Sequence, residues 1–191
     1  MKRLALSTLL VTLIGLTAAG CKADEADSPA APATTAGAAA TQGGDQYPKG
    51  DDGAKALLQA LPKDPALVQK LQPTAEDYKA LFVGAAAAKA EQFYKKNVWT
   101  GQKVEVTGSA AQTELKVSKA SSDDLKAWTA AAEAEFPGGY KDVGPHLQPG
   151  VTWYRWRYTE PGKDSGMAFD GLVHVNGHWV WTPKPWKALE G

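Results

Sequence analysis

The stretch Met167 to Trp186, MAFDGLVHVNGHWVWTPKPW, carries two alternating apolar runs on either side of Asn176-Gly177. Asn and Gly both tolerate the positive φ that a type I′ turn needs at its two central positions, so the runs are predicted to fold back on each other as antiparallel strands. A two-residue loop leaves no freedom of register. Val175 faces His178, His174 faces Trp179, Val173 faces Val180 and Leu172 faces Trp181.

The β-prone run Val151 to Tyr158 supplies a third strand, joined to the second through the loop Thr159 to Gly166. Setting Trp156 opposite Phe169 also sets Arg155 opposite Asp170, a favourable cross-strand charge pair. Strict alternation then sorts the side chains onto two faces. Tyr154, Trp156, Tyr158, Met167, Phe169, Val173, Val175 and Val180 form an apolar face. Trp153, Arg155, Arg157, Asp170, Leu172, His174, Trp179 and Trp181 form a mixed one.

The mixed face reads in two ways. Aromatic walls with a few polar groups suit a ligand pocket or a partner surface, which makes Trp153, Arg155, Asp170, Leu172, His174, Trp179 and Trp181 the candidate binding face. Tryptophan is equally a good cross-strand packer, and a sheet of this kind needs one face covered by helices.

Upstream, helical signals dominate. Leu57, Leu58 and Leu61 share a face before Pro62, and Asp64-Pro65 opens a short helix through Leu71. Thr74 caps the next, with Asp77 in its first turn, and Gly84 interrupts before a helix from Ala85 to Val98. Val104 and Val106 alternate with polar neighbours, as do Leu115 and Val117, which predicts a hairpin across Gly108 to Gln112. Ser121 caps a helix reaching about Glu135, with Leu125, Trp128 and Ala132 on one face, and Pro137-Gly138-Gly139 ends it. Tyr140 to Gly150 reads as a loop. Past the last strand, Thr182-Pro183-Lys184-Pro185-Trp186 cannot continue a ladder, and Trp186 is expected to fold back as a lid on the core.

The N-terminal fifty residues have a different character. Lys2 and Arg3 precede an apolar run from Leu4 to Leu16, too short to read as a spanning helix, and then Thr17-Ala18-Ala19-Gly20. The single cysteine of the chain, Cys21, follows directly. Here the sequence resembles bacterial lipoprotein precursors, with Ala18-Ala19-Gly20-Cys21 as the lipobox. The resemblance implies acylation of Cys21, whose several chains would anchor the protein stably to a membrane of the cell envelope, on the periplasmic or outer-membrane side. Residues 22–52 are rich in Ala, Pro, Gly, Ser and Thr and nearly lack large apolar groups, which predicts a disordered tether. The expected organisation is therefore a signal peptide over 1–20, the lipidated cysteine and linker over 21–52, and one α+β domain over 53–191.

Candidate chemistry is sparse. The chain's 191 residues include 21 acidic and 21 basic side chains with no basic stripe, which argues against nucleic acid as a partner. His174 and His178 fall on opposite faces of the hairpin and cannot share a metal ion, and no cofactor motif is present. Asp170 and His174 share the mixed face but lie about 13 Å apart, beyond hydrogen-bond reach. No nucleophile elbow appears, and the glycine turns lack the strand-glycine-helix setting that cradles phosphate.

Helices, strands, a helix and three consecutive strands, together with the ending DGLVHVNGHWVWTPKPW, resemble the nuclear-transport-factor-like branch of the cystatin-like superfamily over residues 74 to 187. Bacterial lipoproteins that end similarly resemble it more closely. The resemblance implies helices packed on an antiparallel sheet with a pocket between them. Its acid-base residues have no match here. The function expected is a non-enzymatic binding or structural role at the envelope, toward an envelope protein or small ligand. The alternative is an isomerase- or dehydratase-like enzyme using the mixed face.

Overall fold

The computed structural model describes residues 46–190. The expected signal peptide, Cys21 and most of the expected linker lie outside the described residues. The architecture is α+β: seven helices and a four-stranded antiparallel sheet are described, with strand order β1-β2-β3-β4. No described helix is long and apolar enough to cross a membrane.

Helix α1 spans Asp51–Ala60, so the folded region starts before the boundary expected at residue 53. Tyr47 already packs against the core, and its carbonyl accepts from Trp179 Nε1 at 3.0 Å. Asp51 and Asp52 favour the positive end of α1, a contribution that composition alone hides within an apparently featureless stretch. Gly53 admits the Pro48 carbonyl, which would lie 1.6 Å from a Cβ there. Leu57, Leu58 and Leu61 are all buried, as their spacing predicts.

Helix α2, Ala66–Gln69, begins where the Asp64 carboxylate accepts from Ala66 N–H at 3.1 Å. Helix α3, Ala75–Leu81, starts with a complete capping box between Thr74 and Asp77. Gly84, at φ 52, separates it from α4, Ala85–Asn97.

Three expectations for the middle of the chain are corrected. Val104 and Val106 form no strand, and β1, Glu114–Ser121, pairs instead with β2, Thr152–Thr159. The helix that Ser121 caps is broken in two, α5 over Ser122–Ala127 and α6 over Ala130–Glu135. Trp128 takes a left-handed conformation at φ 48 and Thr129 caps α6 with its hydroxyl, so a new start signal overrides the apolar periodicity. The segment Tyr140 to Gly150 is not simply a loop. It contains most of α7, Gly139–Val143, and a 3-10 turn, Gly144–His146.

The three C-terminal strands, β2, β3 (Gly166–Val175) and β4 (His178–Trp181), show the predicted pairs on both sides of Asn176-Gly177 and at Trp156/Phe169 and Arg155/Asp170. One irregularity redraws the faces. Between the pairs Arg155/Asp170 and Tyr154/Leu172 the register shifts by one residue, leaving Gly171, at φ 86, as a bulge in β3. A one-residue shift sends every side chain beyond it to the other face. Leu172, His174, Trp179 and Trp181 therefore join Tyr154, Trp156 and Phe169, while Val173, Val175 and Val180 move across to join Trp153.

Ring contacts agree with this division. Trp181 lies 6.3 Å from Trp156 and 6.5 Å from Phe169, and Trp179 lies 5.5 Å from Tyr154. Trp153 packs against Phe82 and Tyr140 instead. Both faces are covered. Tyr158 donates to the Leu58 carbonyl of α1 on one side, and Trp153 Nε1 donates to Ser122 of α5 on the other. Trp186, in a final 3-10 turn (Pro185–Ala188), does fold back: its ring stands 5.4 Å from that of Tyr140 and excludes a Cβ at Gly139.

Candidate functional site

The candidate face named from sequence is not one surface. Trp153, Arg155 and Asp170 lie on one side of the sheet and Leu172, His174, Trp179 and Trp181 on the other, because the Gly171 bulge falls between the two groups. Trp153, Leu172, Trp179, Trp181 and Asp170 are buried, and only Arg155 and His174 are half-buried. Asp170 and His174 accordingly do not converge.

Nor do Arg155 and Asp170 join as a direct ion pair, although they stand opposite each other. The Arg155 guanidinium donates to the Glu135 carbonyl. Asp170 accepts from the Tyr140 hydroxyl at 3.2 Å and the Lys184 amide at 2.8 Å. Burial pushes the Asp170 carboxyl up, against the pull of these two donors and of the nearby Lys184 and Arg155 charges. The group is a buried anchor for the chain's last turn.

A concavity of about 820 Å³ lies at the other end of the sheet, around the Asn176-Gly177 turn. Two residues of the predicted face reach it, His174 and Trp179. Trp179 forms part of a buried aromatic support, with the His174 ring edge-on at 5.1 Å and Tyr154 beside it. The rest of the lining mixes polar and apolar groups, and its charges come from stretches far apart in sequence: Lys49 and Asp51, Lys119 on β1, and Asp124 on α5.

Asp51 is the organising charge of this wall. Lys119 Nζ lies 2.6 Å from one of its oxygens, and the Tyr154 hydroxyl donates to the other at 3.1 Å. The Lys119 hydrogen bond, then the Tyr154 one, hold the Asp51 carboxyl below its ordinary value. Burial, followed by the bond to the Asp51 carboxylate, pushes the Tyr154 hydroxyl up to about 12. At neutral pH Tyr154 is thus a hydrogen-bond donor, and it has no ready use as a base.

Behind the cleft a second cluster fixes the turn. Asp77, buried in α3, accepts from the Thr74 amide and hydroxyl at 2.8 Å each and from the Asn176 side-chain amide at 2.8 Å. His178 Nε2 lies 3.1 Å from the same carboxylate. Burial opposes the Asp77 charge, but the Thr74 and Asn176 donors and the His178 contact outweigh it and hold the carboxyl below its ordinary value. Asp77 is a positioning residue, tying the hairpin tip to a helix and so setting where His174 and Asn176 stand.

The chain matches no model of a known protein family, no curated protein and no solved structure. The cleft's own chemistry narrows what it can hold. It has cations, anions and hydrogen-bonding groups on its walls, and the aromatic rings beneath are largely enclosed. That suits a small polar or zwitterionic ligand better than an apolar one. Among the described residues no group of three or more His, Cys, Asp or Glu is placed to hold a metal ion.

Sequence reasoning misses Lys49, Asp51, Lys119, Asp124, Tyr154 and Asn176 as cleft residues. Asn176 reads there only as a turn former. Tyr154 belongs to the apolar face, and Asp51 to the tether. Nothing in one-dimensional spacing brings 49–51, 119–124 and 174–177 together.

Proposed function

We propose that this chain is an envelope lipoprotein, anchored through Cys21, whose α+β domain binds a small polar ligand in the cleft at the Asn176-Gly177 end of the sheet. The cleft itself, about 820 Å³ with paired charges on its wall, is the observation that carries the binding reading. Its most prominent charges, Asp51 and Lys119, already neutralise each other and fix Tyr154 as a donor, an arrangement suited to recognition. The anchoring reading rests on Lys2 and Arg3, the apolar run Leu4 to Leu16, and the small residues before Cys21. The order of helices and consecutive antiparallel strands supports the nuclear-transport-factor-like resemblance, which carries no activity with it.

The two halves are tested separately. Labelled palmitate is expected to enter the wild-type chain and not Cys21→Ala; equal labelling, or no labelling of either, ends the anchoring half. For the cleft, the full chain and a His174→Ala variant are incubated with an envelope extract, washed and denatured, and the released small molecules are identified by mass spectrometry. A species retained by the wild type is expected to fall about tenfold or more in the variant, the loss of roughly one or two hydrogen-bonding contacts. Identical profiles would remove this cleft as the binding site.

A further inference from the structure

A groove of about 520 Å³ lies between the end of α4, the segment following it and the chain's last turn. Phe93, Val98, Val104 and Pro183, all half-buried, give it an apolar lining. Its charged groups are Lys103, Lys184 and Lys187 against one acid, Glu105. In a chain with equal numbers of acidic and basic residues this is a local excess of positive charge around an apolar surface. Lys187 is partly engaged, 2.7 Å from Glu190.

Lys184 is the informative member. It sits in the left-handed region at φ 50, ψ 60, a conformation that glycine takes freely and lysine takes only with strain. The backbone there is held by the Lys184 N–H, which donates to the buried Asp170 carboxylate at 2.8 Å. A glycine would keep that same amide bond with less strain. The backbone therefore gives no reason for lysine at this position; its ammonium adds a favourable charge near the buried Asp170 carboxylate and stands at the rim of an apolar groove.

We infer that this groove binds a single-chain anionic amphiphile, with its apolar chain along Phe93, Val98, Val104 and Pro183 and its acid head at Lys184, flanked by Lys103 and Lys187. The volume falls within the range of roughly 300–1,000 Å³ usual for small-molecule sites. Apolar lining takes the chain out of water, and the lysines select the sign of the head group. A carboxylate and a phosphate head share this chemistry. The site is separate from the cleft around Asn176, and its test stands whether or not that cleft binds a ligand.

The test is a titration of full-length Cys21→Ser protein with laurate, dodecyl phosphate and dodecyltrimethylammonium below their micellar concentrations, read by NMR at the Val98 and Val104 methyl groups. A local readout is needed because the apolar N-terminal run can itself take up amphiphiles. Saturable shifts are expected with one or both anionic chains, the stronger of the two identifying a carboxylate or a phosphate source, and affinity about tenfold weaker or worse with the cationic chain. Lys184→Gly, which relieves the left-handed strain but gives up the favourable charge near Asp170, is expected to weaken anionic binding about fivefold with the protein still cooperatively folded. Lys184→Asn, which also tolerates the left-handed backbone, is expected to show the same loss. Absence of methyl shifts, equal response to the cationic chain, or wild-type affinity in both Lys184 variants overturns the assignment.

Discussion

Gly171→Ala is expected to lower the unfolding free energy by about 3 kcal/mol or more, whereas Gly177→Ala should cost about 1 kcal/mol, both read from urea denaturation. The two glycines share nearly the same positive φ, 86 and 87. Their surroundings differ. A Cβ at Gly177 meets nothing within 4 Å, so only the conformational strain of a left-handed alanine is felt. A Cβ at Gly171 would lie 2.0 Å from the Thr182 carbonyl oxygen, a backbone atom that cannot swing aside. Thr182 is held there by its own bonds, its amide and hydroxyl both donating to the Gly171 carbonyl. Relieving the clash means separating the end of β4 from the bulge or losing the bulge altogether. Equal costs at the two positions would show that the close approach at Gly171 is not real.

The second large effect is expected at Asp77. Asp77→Ala removes half of a capping box and leaves the Asn176 amide, the Thr74 amide and the His178 imidazole facing a partly buried gap, at a cost of about 3 kcal/mol or more. The pH dependence has a definite sign. The folded-state pKa of Asp77 is depressed below 3.8, so its contribution is present above about pH 4 and is lost as pH falls through the folded value. The stability gap between wild type and Asp77→Asn should be widest above about pH 4 and narrow on acidification below it, followed by denaturation at a series of pH values. A gap that is constant with pH would mean that the Asp77 charge plays no part. Because Asp77 sets the hairpin tip, the alanine variant should also disturb the cleft at His174 and Asn176.

Much of the C-terminal sheet is legible in the sequence because its signals are local. Asn176-Gly177 admits one turn geometry, and from it all four pairs of the last hairpin follow. Thr74 and Ser121 stand where their side chains cap the helices that follow, and Gly84 breaks a helix where a left-handed residue is needed. The division of faces fails at one residue. Gly171 interrupts an otherwise strongly β-prone run, and an isolated glycine in a strand is a recognised sign of a bulge. Strict alternation passes over that sign, and the error propagates to His174, Trp179 and Trp181.

Other misses have no comparable signal. Trp128 in a left-handed conformation is stabilised by no local preference of tryptophan, and only Thr129 hints at a second helix start. The cleft wall depends on Asp51 meeting Lys119 and Tyr154, residues 68 and 103 positions away. Such a meeting is set by how α1 packs on the sheet. Tertiary packing of this kind leaves no trace in spacing or composition.

The bulge decides which side chains line the cleft and which fill the core. Nuclear Overhauser contacts of the Trp181 indole test it most directly. With Gly171 bulged, Trp181 is expected to show contacts to the rings of Trp156 and Phe169 and none to Trp153. Contacts between Trp181 and Trp153, without those to Trp156 and Phe169, would mean an uninterrupted ladder and would contradict it.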